Sequence, residues 1–533
     1  MRRKNKLPKK IASMLAVAIV VVACAGGEET TQSEEADELA SAEDGSETDS
    51  ENDVSEAGDE NSAGPARLIV ARTQDAATLD PVRDASGGSV DAFRQLYDTL
   101  VAIDRDGDVV PSVAESFTSN DAGDVWTFQI RPGVIFHDGS ELTAEDVKFS
   151  MDVILEDDSS PQYQYASLIQ SVEVIDGDSV EITLDGPSAV FARNLVHIRL
   201  LPADSYDPDT FAEQPIGSGP FSIESWNRDE QLVFAAHDDY WDGRVEIDEL
   251  VFSVVPNTSS ALAALESGDV DVVLNVEPPD VPRLEEADGI NVVPYETNRV
   301  AYLGMNVNNP PFDDVQFRRA IEMAIDREAI VDQLLDGLGI PNNQPFAPAT
   351  WGYNDAIEVP EYDPQGAMDL LDEAGLSGAT IQFDYPNDFF AFGNEVGEAV
   401  AGYLEAVGLS VSVQTEPYSS FRDRWFNAPE QLPGLWMSTF GPSSMDAGTP
   451  LNTLYRNQAS WQDDEVLELV NLQNVTPDLD ARQDLVDQII ELQLDQLPYV
   501  WLYTEIQVAA MADHVDWQPR PDGNLFMTSA TLR

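Results

Sequence analysis

At 533 residues the chain is long enough for two or three domains with sizeable cores, and its 43% of hydrophobic residues is ordinary for a globular protein. The charge is not ordinary: 28 Lys and Arg stand against 98 Asp and Glu, a formal net of −70 at pH 7, which excludes polyanions such as nucleic acids as partners. A single cysteine excludes a disulfide framework and a thiolate metal centre, and the acidity suits a halophilic or marine surface kept soluble in salt.

Arg2, Arg3, Lys4, Lys6, Lys9 and Lys10 form a basic head, followed by an apolar stretch from Ile11 to Ala23. That stretch is too short to span a bilayer comfortably, and the pattern is that of a secretory signal peptide over residues 1–23. Val21-Val22-Ala23-Cys24 resembles the bacterial lipobox. The resemblance implies cleavage before Cys24 and diacylation of its sulfur, an anchor firm enough to hold the chain at a membrane. Residues 24–65 contain 15 acidic residues, no Lys or Arg and few apolar ones. Such a segment buries too little surface to offset chain entropy, so a disordered, self-repelling tether is expected.

The body from residue 66 alternates strand and helix signals. Leu68-Ile69-Val70-Ala71 reads as an opening strand, and Trp126, Phe128 and Ile130 alternate as the inner face of another. Thr143 caps a helix with Asp146 in the capping-box position and Val147, Met151 and Ile154 along its inner face. Ser259 to Glu266 reads as a helix stopped by Gly268, with a strand from Val270 to Val276 behind it. Phe317, Ile321, Ala324, Ile325 and Leu335 predict one helix of about 20 residues after Asp313-Asp314. Asp363, Pro364 and Gly375 delimit a further helix. The mixture predicts an α/β fold with mixed sheets, in lobes formed by a chain that crosses between them.

Several stretches then resemble the extracytoplasmic solute-binding proteins of the peptide/nickel family, family 5, which serve ABC importers. They include Thr78-Leu79-Asp80-Pro81, the run from Phe128 to Gly139 continued by Leu142 to Val147, Gly217-Ser218-Gly219-Pro220-Phe221, and Asp239-Tyr240-Trp241. Phe312 to Ile321, Ala324 to Arg327, Tyr362-Asp363-Pro364 and Leu370 to Leu376 complete the series. The resemblance implies a bilobal, class II periplasmic-binding-protein-like fold with a subdomain inserted in lobe I. Mapped here, lobe I holds 66–98, 216–298 and 500–533, the insert 99–215, and lobe II 299–499. It also implies a receptor that captures short peptides in an interlobe cleft and delivers them to a membrane permease. Oligosaccharides or a nickel chelate are the alternative cargo, and a lipid-anchored hydrolase or adhesin the alternative class. A monomer with no cofactor is expected, outside the cytoplasm and anchored through Cys24.

Nothing in the residues signals catalysis: there is no nucleophile elbow, zinc helix, Walker loop or dinucleotide fingerprint. His137, His197, His237 and His514 lie far apart with no ligand-like spacing, so no metal site is expected. In peptide-binding relatives a tryptophan is followed by an aspartate that pairs with the peptide ammonium. Trp436 fits the tryptophan, but Thr439 stands three residues on and the first acid is Asp446. Trp436, Thr439, Phe440 and Asp446 are therefore candidate ligand residues. Trp351, Tyr353 and Tyr97 join them as aromatics able to stack on a ligand. Arg193, Arg199, Arg299 and Arg422 are scarce cations able to meet a ligand carboxylate.

Overall fold

The computed structural model describes residues 65–427, 432, 434–441, 444–456 and 460–533. The expected signal peptide, Cys24 and the tether lie outside them.

The opening strand forms as Arg67–Arg72, with Leu68 and Val70 turned into the core. The alternating run forms Val125–Ile130, which buries Trp126, Phe128 and Ile130. Thr143 caps the helix Ala144–Glu156, and its backbone N–H donates to Asp146 Oδ2 at 2.8 Å, closing the reciprocal capping box. Gly268 ends the helix Thr258–Ser267 in the left-handed region, at φ 82°, where a side chain is disfavoured. The strand expected beyond it is short, pairing only over Val272–Val273. Asp363 caps Pro364–Glu373 by accepting from Gly366 N at 2.8 Å.

The 20-residue helix expected after Asp314 does not form as one piece. Val315–Met323 ends, Asp326 caps a new start by accepting from Ala329 N at 2.9 Å, and a π-helical turn follows at Ile330–Leu334. The break turns Arg327 inward, where Nε donates to Trp501 O at 2.7 Å. Apolar spacing carries no sign of this, because the residues on both sides of the break face the same core.

One 11-stranded mixed sheet runs through the molecule. Its middle is an antiparallel pair of long strands, Ile290–Met305 and Tyr499–Ala512. On one side lie Leu435–Phe440, Thr380–Pro386 and Ser410–Glu416, and on the other Val272–Val273, Arg67–Arg72, Glu249–Val254, Gln231–Ala236 and Phe221–Asn227. The register of the long pair shifts between Glu296 and Val300, a bulge at the level where the two halves meet. Each half has its own core: Leu68, Phe93, Phe234 and Leu250 in the first, Phe317, Ile381, Phe383 and Leu404 in the second. A separate antiparallel sheet, Ala114–Ser119, Val125–Ile130, Ser179–Leu184 and Ile169–Asp176, encloses a third core around Phe128, Met151 and Ile182.

Trp436 packs flat across Gly304 on the neighbouring strand, so a Cβ at Gly304 would sit 2.2 Å from the indole ring. Gly304→Ala is expected to overpack this core and lower stability by about 1–3 kcal/mol, read as a lower denaturation midpoint at unchanged slope.

Candidate ligand cleft

A cavity of about 610 Å³ opens where the two halves of the sheet meet. Its floor comes from the long strand Tyr499–Ala512, whose alternate residues Tyr503, Glu505 and Gln507 share one face. One wall is the Asn275–Pro279 segment of the first half, and the other is Asp388–Phe392 of the second. Arg299, on the other long strand, reaches in beside Glu505.

The Arg299 guanidinium holds three groups at once. It donates to Thr439 Oγ1, places Nε 3.3 Å from Glu505 Oε2, and lies 5.0 Å from the centre of the Phe389 ring. Phe389 is itself stacked on Tyr418, with centroids 3.5 Å apart and planes 2° from parallel. The second Glu505 oxygen, Oε1, is buried without a hydrogen bond, as is the Tyr503 hydroxyl. Burial, with the nearby Glu505 charge, pushes the Tyr503 phenol well above its usual value, so it stays a neutral donor. Glu277, Asp388 and Glu395 also line the cavity, against the single cation Arg299. The field inside favours a positively charged group, with one fixed counterpart for a negative one.

Of the residues singled out from the sequence, Thr439 reaches this site by way of Arg299, and Arg299 lines it directly. The others do not line it. Trp436 is wholly buried, and Phe440 and Tyr353 pack against the same aromatic core of the second half. Tyr97 is 2% exposed, and its hydroxyl donates to Leu79 O at 2.7 Å. Trp351 N donates to Met445 O at 3.0 Å, and the ring lies under the Arg482 guanidinium at 4.1 Å.

Asp446 corrects the expectation of an ammonium anchor. It is 1% exposed, and its oxygens accept from Arg482 Nη1 at 2.8 Å, Arg482 Nη2 at 2.6 Å and Gly448 N at 2.7 Å. Arg193 Nε lies 3.3 Å away, and Nη1 of the same residue donates to Gly107 O and Ser444 O at 2.6 and 3.0 Å. No lone pair is left for a ligand. Asp446 instead joins the second half of the molecule to the region of the small sheet. Burial alone would raise its carboxyl pKa, but the attraction of Arg482, its hydrogen bonds and Arg193 outweigh burial and hold it below the usual value.

The histidines, well separated in sequence, come together in one case. His137 and His237 stand edge to face with centroids 4.9 Å apart, and each places a ring nitrogen 3.1 Å from Gly219 O. Gly217 N donates to His137 Nδ1 at 3.2 Å, so the pair grips the Gly217–Gly219 turn. Burial draws His137 down to about 4, and the ring is neutral at physiological pH. Among the described residues no cluster of three His, Cys, Asp or Glu is placed to hold a metal ion, and no helix is long and apolar enough to cross a membrane.

A two-lobed α/β body with a charged cleft at its crossing strands is an architecture suited to holding a small ligand. The profile of bacterial extracellular solute-binding proteins, family 5, middle region, matches residues 108–462, and the chain belongs to that family. It is 32% identical to heme-binding protein A of Haemophilus influenzae over 56% of this chain and 58% of that protein. It is 28% identical to the dipeptide-binding protein of Escherichia coli over 79% of this chain and 85% of that one. The structure of the oligopeptide-binding protein AppA of Bacillus subtilis, in complex with a nonapeptide, superposes with a TM-score of 0.67 at 25% identity, covering 88% of this chain and all of that one.

Asp446→Asn leaves two buried guanidinium groups undercompensated and is expected to cost about 3–5 kcal/mol in a denaturation titration. Because the folded pKa of Asp446 is depressed, the stability it supplies is present above the ordinary carboxylate value of about 3.9 and is lost as pH falls through the lower folded value. The gap between wild type and Asp446→Asn is therefore expected to close only in strong acid.

Proposed function

We propose that the chain is the extracytoplasmic receptor of an ABC importer and captures short peptides in the cleft between its lobes. The observation that carries this reading is the pairing of opposite charges on the cleft floor. Glu505 offers an unsatisfied carboxylate oxygen and Arg299 a guanidinium, within one cavity of about 610 Å³. A zwitterionic peptide presents the complement of both, an ammonium at one end and a carboxylate at the other. Phe389, Phe390 and Phe392 on the adjoining wall suit apolar side chains without dictating one. Relatives named for dipeptide and oligopeptide binding support the same cargo.

In this reading the lobes are 66–98 with 216–298 and 500–533, and 299–499, while 99–215 is an insert in the first. The receptor works as a monomer that performs no chemistry on its ligand. It is held at the outer face of the membrane by lipid on Cys24, with the acidic segment as tether.

Calorimetric titration with di- to hexapeptides is expected to show saturable binding that is lost on Nα-acetylation. Arg299→Gln and Glu505→Gln are each expected to weaken it by about tenfold or more, the scale of one charged hydrogen bond. Absence of binding by every free peptide would sink the assignment. For the anchor, Cys24→Ser is expected to move the chain from the membrane fraction to the soluble one after cell fractionation.

A further inference from the structure

A second cavity, of about 290 Å³, shares no lining residue with the interlobe cleft. It lies among the helix Gly87–Leu96, the hairpin strands Val101–Ile103 and Val109–Pro111, the His197–Arg199 segment, Tyr240–Asp242 and the C-terminal loop from Arg520 to Thr528. Three arginines line it, Arg94, Arg199 and Arg520, in a chain where only 28 of 533 residues are Lys or Arg.

Two of the three are committed elsewhere. Arg94 pairs with Asp91 at 3.2 Å and donates to Asn524. Arg520 pairs with Asp522 at 2.7 Å and donates to the carbonyls of Ile103 and Asp104 at 2.8 and 3.0 Å. Arg199 is different. It is only 9% exposed, yet among the described residues its guanidinium has no hydrogen bond and no ion pair, and it borders the open space of the cavity. A buried guanidinium with no hydrogen bond or contact ion pair is costly, so something outside the chain itself is the natural partner.

The local acids do not supply that partner. Asp522 is taken by Arg520, and Asp242 is exposed at the rim. Asp98 accepts from the Tyr240 hydroxyl at 3.1 Å and Trp241 Nε1 at 3.2 Å, and acts on Arg199 only through space. Burial pushes Asp98 up to about 7, so it carries only part of a charge near neutral pH. Burial also draws Arg199 down, to about 9, which still leaves it cationic. The His197 ring is drawn to about 3 by burial and stacks on Tyr165 at 4.1 Å, adding no charge.

We propose that this cavity is a binding site for a small organic carboxylate, held by two oxygens on Arg199. The planar fork of a guanidinium matches the two oxygens of a carboxylate. The aromatic residues Trp241 and Phe526 are among the rest of the lining, which suits a short hydrocarbon better than a hydrated inorganic ion. The volume lies at the lower end of small-molecule sites, so the ligand has a few heavy atoms and is not a peptide. The site stands apart from the peptide reading and does not depend on it.

The test is a calorimetric titration of the purified chain with sodium propionate, and separately with sodium sulfate, each replacing sodium chloride at fixed ionic strength. Propionate is expected to saturate one site per chain. Arg199→Gln is expected to weaken it at least about tenfold, Arg199→Lys less, and the exposed control Arg67→Gln not at all. Wild-type protein that shows no saturable propionate heat overturns the proposal by itself, whatever the variants do. A folded Arg199→Gln protein that binds propionate as wild type does also overturns it. Sulfate binding tighter than propionate overturns the assignment to an organic carboxylate.

Discussion

The antiparallel pairing of Ile290–Met305 with Tyr499–Ala512 is the constraint on which the rest of the molecule depends. These strands run 16 and 14 residues, well beyond the usual five or six, and each contributes to both halves of the sheet. Because they carry the backbone across, polar residues come to stand between the two cores, beside core members such as Tyr503. Arg299 and Glu505 lie there, next to the bulge after Glu296, where the ladder is interrupted. A cleft with polar groups on its floor follows from that geometry.

A second join works through charge instead of hydrogen-bonded strands. Arg193 comes from the short helix Phe191–Asn194 beside the small sheet, while Asp446 and Arg482 belong to the second half. The contact is reinforced by Ala189 N donating to Asn474 O at 2.8 Å. In a buried triad each arginine is tolerable only while the aspartate is present. The arrangement fixes how the small-sheet region sits against the second half more than it adds to net stability, since a buried ion pair gains little over an apolar one.

Much of this was legible in the residues. Strands with period-two burial, capped helices and the Gly268 stop are local features, and local spacing predicts them. The break at Asp326 was missed because the apolar spacing runs on across it, and the contact of Arg327 with the Trp501 carbonyl, 174 residues away, is one that spacing does not show. The ligand candidates show the same limit. Trp436 and Asp446 attract notice as an aromatic and an acid in a suggestive order, but burial decides their role, and burial is not a property of spacing. The signal for the cleft was instead Glu505, the single charge in the apolar run Tyr499–Ala512. A lone acid within a strand that crosses a core asks for a partner. Arg199 and Arg299 were marked only by the scarcity of cations, which they share with Arg193 and Arg422, and spacing does not separate the four.

The near-absence of lysine has a practical corollary. Of five lysines, four fall within the first ten residues, and only Lys148 belongs to the body, half-exposed on the helix Ala144–Glu156 and paired with Asp152. All other permanent cations of the body are arginines, whose guanidinium groups do not react with ordinary acylating reagents. An amine-directed dye or cross-linker therefore finds one side chain on the folded part, at a place remote in sequence from the crossing strands. The body from residue 66 onward thus carries a single lysine as an attachment point for a spectroscopic label.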